Sequence, residues 1–404
     1  MLLSESGLKK IMLAVGLLAA FQLIPPAQAQ EWSQIEQKAS GQTVYWNAWG
    51  GDEAINAYIR WVGERVAADY GVTVEHVKLA DTADAVRKVV AEKSAGRNDG
   101  GSVDLIWING ENFKAMKDQA LLHGPITDTL PNYALIDTKA NPAVELDFTI
   151  PTEGLESPWG QAKLVFIYDN AIVQDPPKTM MALQAYALAH PGRVTYPAPP
   201  QFLGTTFLKQ ALYEVVETPD ALLQPAGDNF ESVTAPLWAY LDKIHPALWR
   251  EGRDYPDGDD ALIRLLDEGA VDFALSFHPG RASSAITQGL LPDTARTFVL
   301  DGGTIGNTHY VAIPYNAAHK EGAMVLANFL LSPEAQAHKQ DPDIWGDMTV
   351  LTMDKLAPEG RALFDALPRG IATLSPAELG PTLPEPHPSW MTRIENKWLE
   401  RYGS

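Results

Sequence analysis

The stretch Thr43-Val44-Tyr45-Trp46-Asn47-Ala48-Trp49-Gly50-Gly51-Asp52-Glu53 decides the fold. It opens as an apolar, β-prone run, Thr43 to Trp46, and ends in Asn47-Ala48-Trp49-Gly50-Gly51, with a Gly-Gly turn. Ile55, Tyr58, Ile59, Val62 and Val66 then follow at spacings of three and four, the pattern of an amphipathic helix. A strand therefore runs into a tight turn, and the turn opens a helix whose first turn holds Asp52 and Glu53, where the helix dipole favours acids. In open α/β sheets ligands bind at the carboxyl ends of the strands. A loop there with Asn47, Trp49, Gly50 and Gly51 offers an amide, a stacking face and close backbone approach. An ordinary turn beside a buried Trp explains the same residues.

The pattern repeats outward. Val72–Leu79 alternates like a strand, and Asp81–Ser94 carries a helical stripe of Ala83, Val86, Val89 and Val90. Val103–Ile108 (VDLIWI) is continuously apolar, as expected of a parallel strand covered on both faces. It ends in Asn109-Gly110-Glu111-Asn112, and a helix is expected over Phe113–Gln119. This β-α-β-α-β-α order implies a parallel α/β sheet, with both polar loops at one edge. Further strands are expected over Gly160–Asp169, Arg193–Tyr196, Ala270–Phe277 and Tyr310–Pro314. Helices are expected over Phe207–Val216, with Thr205 or Thr206 as N-cap, and over Phe230–Ile244, Lys320–Leu331 and Ser389–Tyr402. Asp301–Asn307 reads as a glycine-rich loop and Pro381–Pro388 as an extended segment.

Composition narrows the classes. Lys9-Lys10, the apolar run Ile11–Leu23, Pro25-Pro26 and Ala27-Gln28-Ala29 have the layout of a secretory signal peptide. Residues 1–30 are expected to stand outside the fold, and cleavage after Ala29 leaves 375 of 404 residues, enough for two lobes. There is no Cys, so disulfides and thiolate chemistry are excluded. The net charge of −20 without a basic stripe argues against nucleic acid. No G-x-S-x-G elbow, H-E-x-x-H site or phosphate loop occurs. The acidic run Asp254–Asp260 lacks the closing Glu of a calcium loop and reads as a solvated turn. No cofactor, metal or catalytic residue is expected.

Taken in order, these landmarks resemble the periplasmic solute-binding proteins of ABC transporters, of the type II (maltose- and polyamine-binding) architecture. The resemblance rests on the leader, the Asn/Trp loop, VDLIWI before Gly110-Glu111-Asn112, Gly160–Asp169 after Pro158-Trp159, the late strand DFALSF, the return at Tyr310–Pro314 and LLSPEAQA (Leu330–Ala337). More narrowly the chain is similar to the YnjB-like group, a branch linked by analogy with thiamine transport. The resemblance implies an α/β fold of two hinge-connected lobes around a central cleft that closes on ligand. Lobe 1 is then residues 30–159 with 306–340, lobe 2 is 160–305, and 341–404 is a helical segment packing on the lobes. It also implies a periplasmic monomer without a membrane anchor, whose partners are a small molecule and the permease subunits of an importer. By position the cleft takes Asn47, Trp49, Gly50, Gly51, Asn109, Glu111 and Asn112 from lobe 1 and Trp159 from the hinge. Lobe 2 brings Phe202, Thr205, Thr206, Ser276 and His278, and the return hinge brings His309 and Tyr310. Trp46 and Trp345 are assigned to the core. Aromatic faces with Glu111 suit a flat or cationic solute. A sugar or an organic anion held at Thr205-Thr206 remains open, as does an exported enzyme on a related scaffold.

Overall fold

The computed structural model describes residues 26–375 and 377–403. The leader elements Lys9-Lys10 and Ile11–Leu23 lie outside the described residues. A helix spans Pro26–Ala39, so it begins inside the segment expected to stand apart from the fold. Its residues Trp32 and Ala39 are buried in the first lobe's core, because they pack with the helix Lys320–Leu330.

The first sheet has the strand order 382–383, 304–312, 105–108, 43–49, 73–79, and strand 156–163 pairs with 304–312 as well. Strands Thr43–Trp49, Thr73–Leu79 and Leu105–Ile108 run parallel. Thr304–Ala312 returns antiparallel to Leu105–Ile108. The continuously apolar strand is covered on both sides, as expected: Leu105 belongs to one core, Ile106 and Ile108 to the other. Thr43–Trp49 lies between its two parallel partners, so the loops after Trp49 and Ile108 flank the point where the strand order reverses, which is where such sheets leave a crevice.

The second sheet has Val165–Asp169 between Ala274–Ser276 and Ala295–Phe298, both antiparallel to it. A separate core forms around it from the helices Met180–Ala189, Phe202–Val215 and Phe230–Ile244. Two strands carry the chain between the sheets. Glu156–Lys163 pairs with Thr304–Ala312 over the registers Lys163↔Gly306 to Glu156↔Ala312. The C-terminal residues divide: Trp345, Val350, Leu351 and Leu356 enter the first core, whereas Trp390, Ile394 and Trp398 of the last helix enter the second. Between them Thr382–Leu383 adds to the return strand. There the buried Lys163 Nζ donates to Gly380 O (3.0 Å), Pro381 O (2.7 Å) and Thr382 Oγ1 (3.1 Å).

Four expectations need correction. Arg193–Tyr196 is not in a sheet: prolines at 191, 197, 199 and 200 remove donors around it, and its carbonyls accept instead from Trp249 N and Asp272 N. Asp301–Asn307 is not all loop, because the return strand starts at Thr304. Gly306 is there for close approach, since a Cβ would lie 2.8 Å from Ala162 O. The helix expected from Phe113 starts at Gly110, and the one expected from Phe207 starts at Phe202 with Gln201 as its cap.

Trp398 is 2% exposed, and its Nε1 donates to Tyr196 Oη at 2.9 Å. Trp398→Ala is expected to destabilise the protein by about 3–5 kcal/mol, the cost of a large core truncation, read by urea denaturation. A loss below about 1 kcal/mol would show that the last helix is not part of the second lobe's core.

Candidate functional site

The first loop is built around two glycines. A Cβ on Gly51 would meet the Trp49 ring at 2.4 Å, and one on Gly50 would meet Lys78 Cβ at 2.6 Å. Trp49 thus folds over its own loop yet stays 39% exposed. Asp52 caps the next helix, its Oδ1 accepting from Ile55 N at 3.0 Å. Asn47 does not face out: it is 1% exposed and donates to Tyr45 O.

The second loop turns at Gly110, whose φ of +61° favours glycine and where a Cβ would sit tightly, 3.1 Å from the Phe148 ring. Gly110 N donates to Asp147 Oδ2 at 2.7 Å. Glu111 then stands in the first helical turn, with Asn112 Nδ2 donating to its Oε1 at 3.0 Å. Burial pushes its pKa up to about 7, against its own backbone N–H and the Lys209 charge, with Glu395 and Asp81 pushing the same way as burial. Here desolvation outweighs the helix dipole.

The second lobe answers with Lys209, 1% exposed, its Nζ 2.5 Å from Glu385 Oε2. The same Nζ lies 5.1 Å from the Phe148 ring and 5.4 Å from the Phe202 ring, so one aromatic from each lobe flanks it. Phe202 itself is 39% exposed. Thr205 and Thr206 are inside the helix and not at its cap, where Gln201 Oε1 takes the Gly204 N–H at 3.1 Å. Thr205 Oγ1 donates to Glu395 Oε1 (2.7 Å), and Thr206 Oγ1 to Phe202 O (2.8 Å).

Nearer the crossing strands, aromatic rings gather. Trp159 meets Trp46, Trp107, Trp345 and His309 with centroids 4.9–5.9 Å apart. Trp345 also touches His278 of the second lobe, at 5.9 Å. Beneath them the buried Asp347 accepts from Lys339 Nζ (2.5 Å) and bonds His309 Nε2 (3.0 Å). Burial would raise Asp347, but Lys339 and then His309 outweigh it and hold the carboxyl below its ordinary range. The indole N–H groups of Trp46, Trp159 and Trp345 are buried without hydrogen-bond partners.

The structure thus brings Glu111, Asn112, Phe202 and Thr205 into one neighbourhood, and Trp159, His278 and His309 into another. Asn109 caps the Gly110 helix without a side-chain bond. Ser276 is turned to Asp259 (2.6 Å), and Tyr310 is fully buried, its hydroxyl donating to Ala143 O and Leu146 O. Sequence reasoning missed Trp107, Phe148, Lys209 and Glu395; Trp345 is in the core as expected, and from there it also meets His278 of the second lobe. Lys209 had a signal, being a charge inside the apolar run Phe202–Val215; Glu395 had none. Lys339→Met leaves Asp347 a buried anion with His309 alone. It is expected to cost about 3–5 kcal/mol in thermal or urea denaturation, with Lys339→Met/Asp347→Leu recovering most of it; no recovery in the double variant would contradict this pairing.

Residues 61–348 match the family model of the bacterial extracellular solute-binding proteins. The chain is 46% identical over 391 residues to Protein YnjB of Escherichia coli (strain K12), spanning 96% of this chain and 98% of that protein. Its fold is similar to the periplasmic binding protein AfuA of Actinobacillus pleuropneumoniae, solved with fructose-6-phosphate (TM-score 0.62, 14% identity, 90% and 99% of the two chains). It is also similar to the spermidine/putrescine ABC transporter substrate-binding protein PotD of Streptococcus pneumoniae (TM-score 0.59, 15% identity, 90% and 98%). At such identities the two structures speak for the shared two-lobed fold alone. Family match and close relative together place the chain among the bacterial extracellular solute-binding proteins, which bind solutes rather than transform them.

Proposed function

We propose that this protein captures a small organic cation, an amine or a thiamine-like heterocycle, in the cleft between its lobes. It works as a monomer in the periplasm after removal of the leader at Ala29, and delivers the solute to the permease of an ABC importer. One observation carries the choice of charge. Glu111 has Asn112 as its side-chain partner and no bonded cation among the described residues, whereas the cation opposite, Lys209, is already neutralised by Glu385. Asp81 adds negative potential beside Glu111. A carboxylate in a desolvated cleft strongly favours a cation over an anion. Trp49 and Phe202, one exposed ring from each lobe, supply stacking and cation–π faces. A neutral sugar is the second reading, favoured by the unpartnered indole donors of Trp46, Trp159 and Trp345.

A thermal-shift panel of amines, thiamine analogues, sugars and organic acids separates these readings, because a ligand raises apparent stability by mass action. Glu111→Gln is expected to weaken a cationic solute by about 1.5–3 kcal/mol, the value of a hydrogen bond to a charged group, and a sugar by less. With its pKa at about 7, Glu111 is protonated below that pH and ionised above it. A cation needs the ionised form, so its affinity should fall as pH drops from about 8 to about 6. Calorimetry at pH 7 in two buffers of unlike ionisation heat should register proton release. A panel in which sugars or organic acids alone shift the melting temperature would refute the cation reading.

A further inference from the structure

Behind the Gly110 turn, buried carboxylate oxygens stand without a donor. Glu156 opens the crossing strand Glu156–Lys163 and is 0% exposed, yet neither Oε1 nor Oε2 is hydrogen-bonded among the described residues. Asp147, 1% exposed, takes Gly110 N on Oδ2 and leaves Oδ1 without a partner. Glu156 pairs with Ala312, so its side chain is on the face of the sheet that Ala312 shares with Tyr310. From that face the Tyr310 hydroxyl reaches the segment before Asp147, donating to Ala143 O and Leu146 O at 3.1 Å each. The charge that weighs most on Glu156 is that of Asp147, ahead of the opposing Lys117.

Asp147 belongs to a short hairpin, Leu146–Asp147 with Ile150–Pro151, which its own turn does not favour. Phe148 (φ +44°) and Thr149 (φ +71°) hold left-handed positions that suit Asn and Gly. The hairpin is held by what it touches. Ile150 packs on the small core of Ile106, Ile108, Phe113 and Met116, the Phe148 ring lies over Gly110, and Asp147 bonds the Gly110 N–H. The surrounding cations are engaged. Lys117 pairs with Glu153 and donates to Pro151 O, Lys114 pairs with Asp118, and Lys209 pairs with Glu385. Glu111 and Glu385 face Asp147, and Tyr310 faces both acids. Glu145, just before the hairpin, acts on Tyr133, and Lys320 and Glu321 of the helix packed on the crossing strand act on His123.

An ionised carboxylate only accepts hydrogen bonds, so two of them here leave these oxygens unsatisfied. One proton makes Glu156 a donor and gives Asp147 Oδ1 its missing partner. We propose that Glu156 and Asp147 share one proton in a buried carboxyl–carboxylate pair, and that this proton is a pH-sensitive lock holding the hairpin Leu146–Pro151 onto the Gly110 turn. Burial pushes Glu156 well above the ordinary carboxyl range, with Asp147 adding to it and Lys117 opposing. Burial also raises Asp147, against the Gly110 N–H, so the two titrate as one unit. Loss of the proton leaves two like charges in a desolvated core and releases the hairpin, whatever solute the cleft takes.

Infrared difference spectroscopy reads the proton directly, because a protonated carboxyl has a C=O stretch that a carboxylate lacks. The mature protein is measured in a Glu111→Gln background, so that this neighbouring acid does not contribute. At neutral pH it should show a protonated-carboxyl band that Glu156→Gln removes. Asp147→Asn is the second variant: its amide donates to Glu156 and favours the ionised form, so the band should titrate at lower pH. An acid whose folded pKa is raised adds stability that is full below the unfolded value and is lost as pH rises through the folded one. Between about pH 5 and about pH 9 the melting temperature of the unsubstituted pair should therefore fall relative to Glu156→Gln, whose amide keeps a donor without titrating. Over the same range hydrogen exchange at the Gly110 amide, corrected for its intrinsic rate, should lose protection in the unsubstituted pair and keep it in Glu156→Gln. A spectrum without the band, or a band that Asp147→Asn leaves unmoved, would overturn the shared proton. Equal pH profiles of melting and of Gly110 exchange with and without Glu156→Gln would overturn the lock. A melting temperature that climbs with calcium or potassium chloride only while Glu156 is present would also overturn it, since the oxygens would then hold a cation in place of the proton.

Discussion

The antiparallel pairing of Glu156–Lys163 with Thr304–Ala312 is the constraint on which the rest depends. It carries the chain out of the first sheet and back, so each lobe can form its own core while the two stay in register. Two glycines make the crossing possible. A Cβ on Gly306 would strike Ala162 O, and one on Gly160 would lie 2.2 Å from Asp347 Oδ2. Gly160 thereby admits the buried carboxylate that joins Lys339 and His309 beneath the aromatic cluster. The C-terminal strap adds a third tie, with Thr382–Leu383 on the return strand and Lys163 capped by its carbonyls.

With the lobes fixed about these crossings, the electrostatics of the cleft follow from what is already paired. Lys209 is matched by Glu385 and flanked by Phe148 and Phe202, while Arg281 is matched by Asp259 and Asp260. Glu111, by contrast, has the neutral Asn112 as its side-chain partner. The excess of acid over base in the whole chain, −20, says little about this. Our reading of a negative cleft rests instead on this pairing pattern, local and long-range in sequence.

Much of the fold was legible because its signals are local. The Thr43–Glu53 stretch gave a strand and a helix, although the strand runs on through Asn47, Ala48 and Trp49, which were read as loop, and Ile55, Tyr58, Ile59, Val62 and Val66 all face the core. Phe230–Ile244 was delimited to the residue. The reading failed where a tertiary partner overrides a local cue. Gly306 looked like a turn residue and is a strand residue, because the opposing backbone is close. Thr205 looked like a cap and is an acceptor's partner, because Gln201 reaches the free N–H first. The site was legible only as far as its loops. Glu111 belongs to the loop that the strand pattern pointed to, but Lys209 finds Glu385 across 176 residues, and Glu395 meets Thr205 across 190, on a helix that the pattern could assign to neither lobe. No periodicity encodes contacts of that range.

The central claim is that the cleft selects positive charge. It is tested most directly on the solute that the protein carries when isolated from the cells that make it. Protein purified quickly, without dialysis, is denatured and its released small molecules are identified by mass spectrometry against a Glu111→Gln control. The account predicts a cationic compound, near one equivalent per chain and depleted in the variant. A neutral sugar or an anion at that stoichiometry, retained by Glu111→Gln, would contradict it.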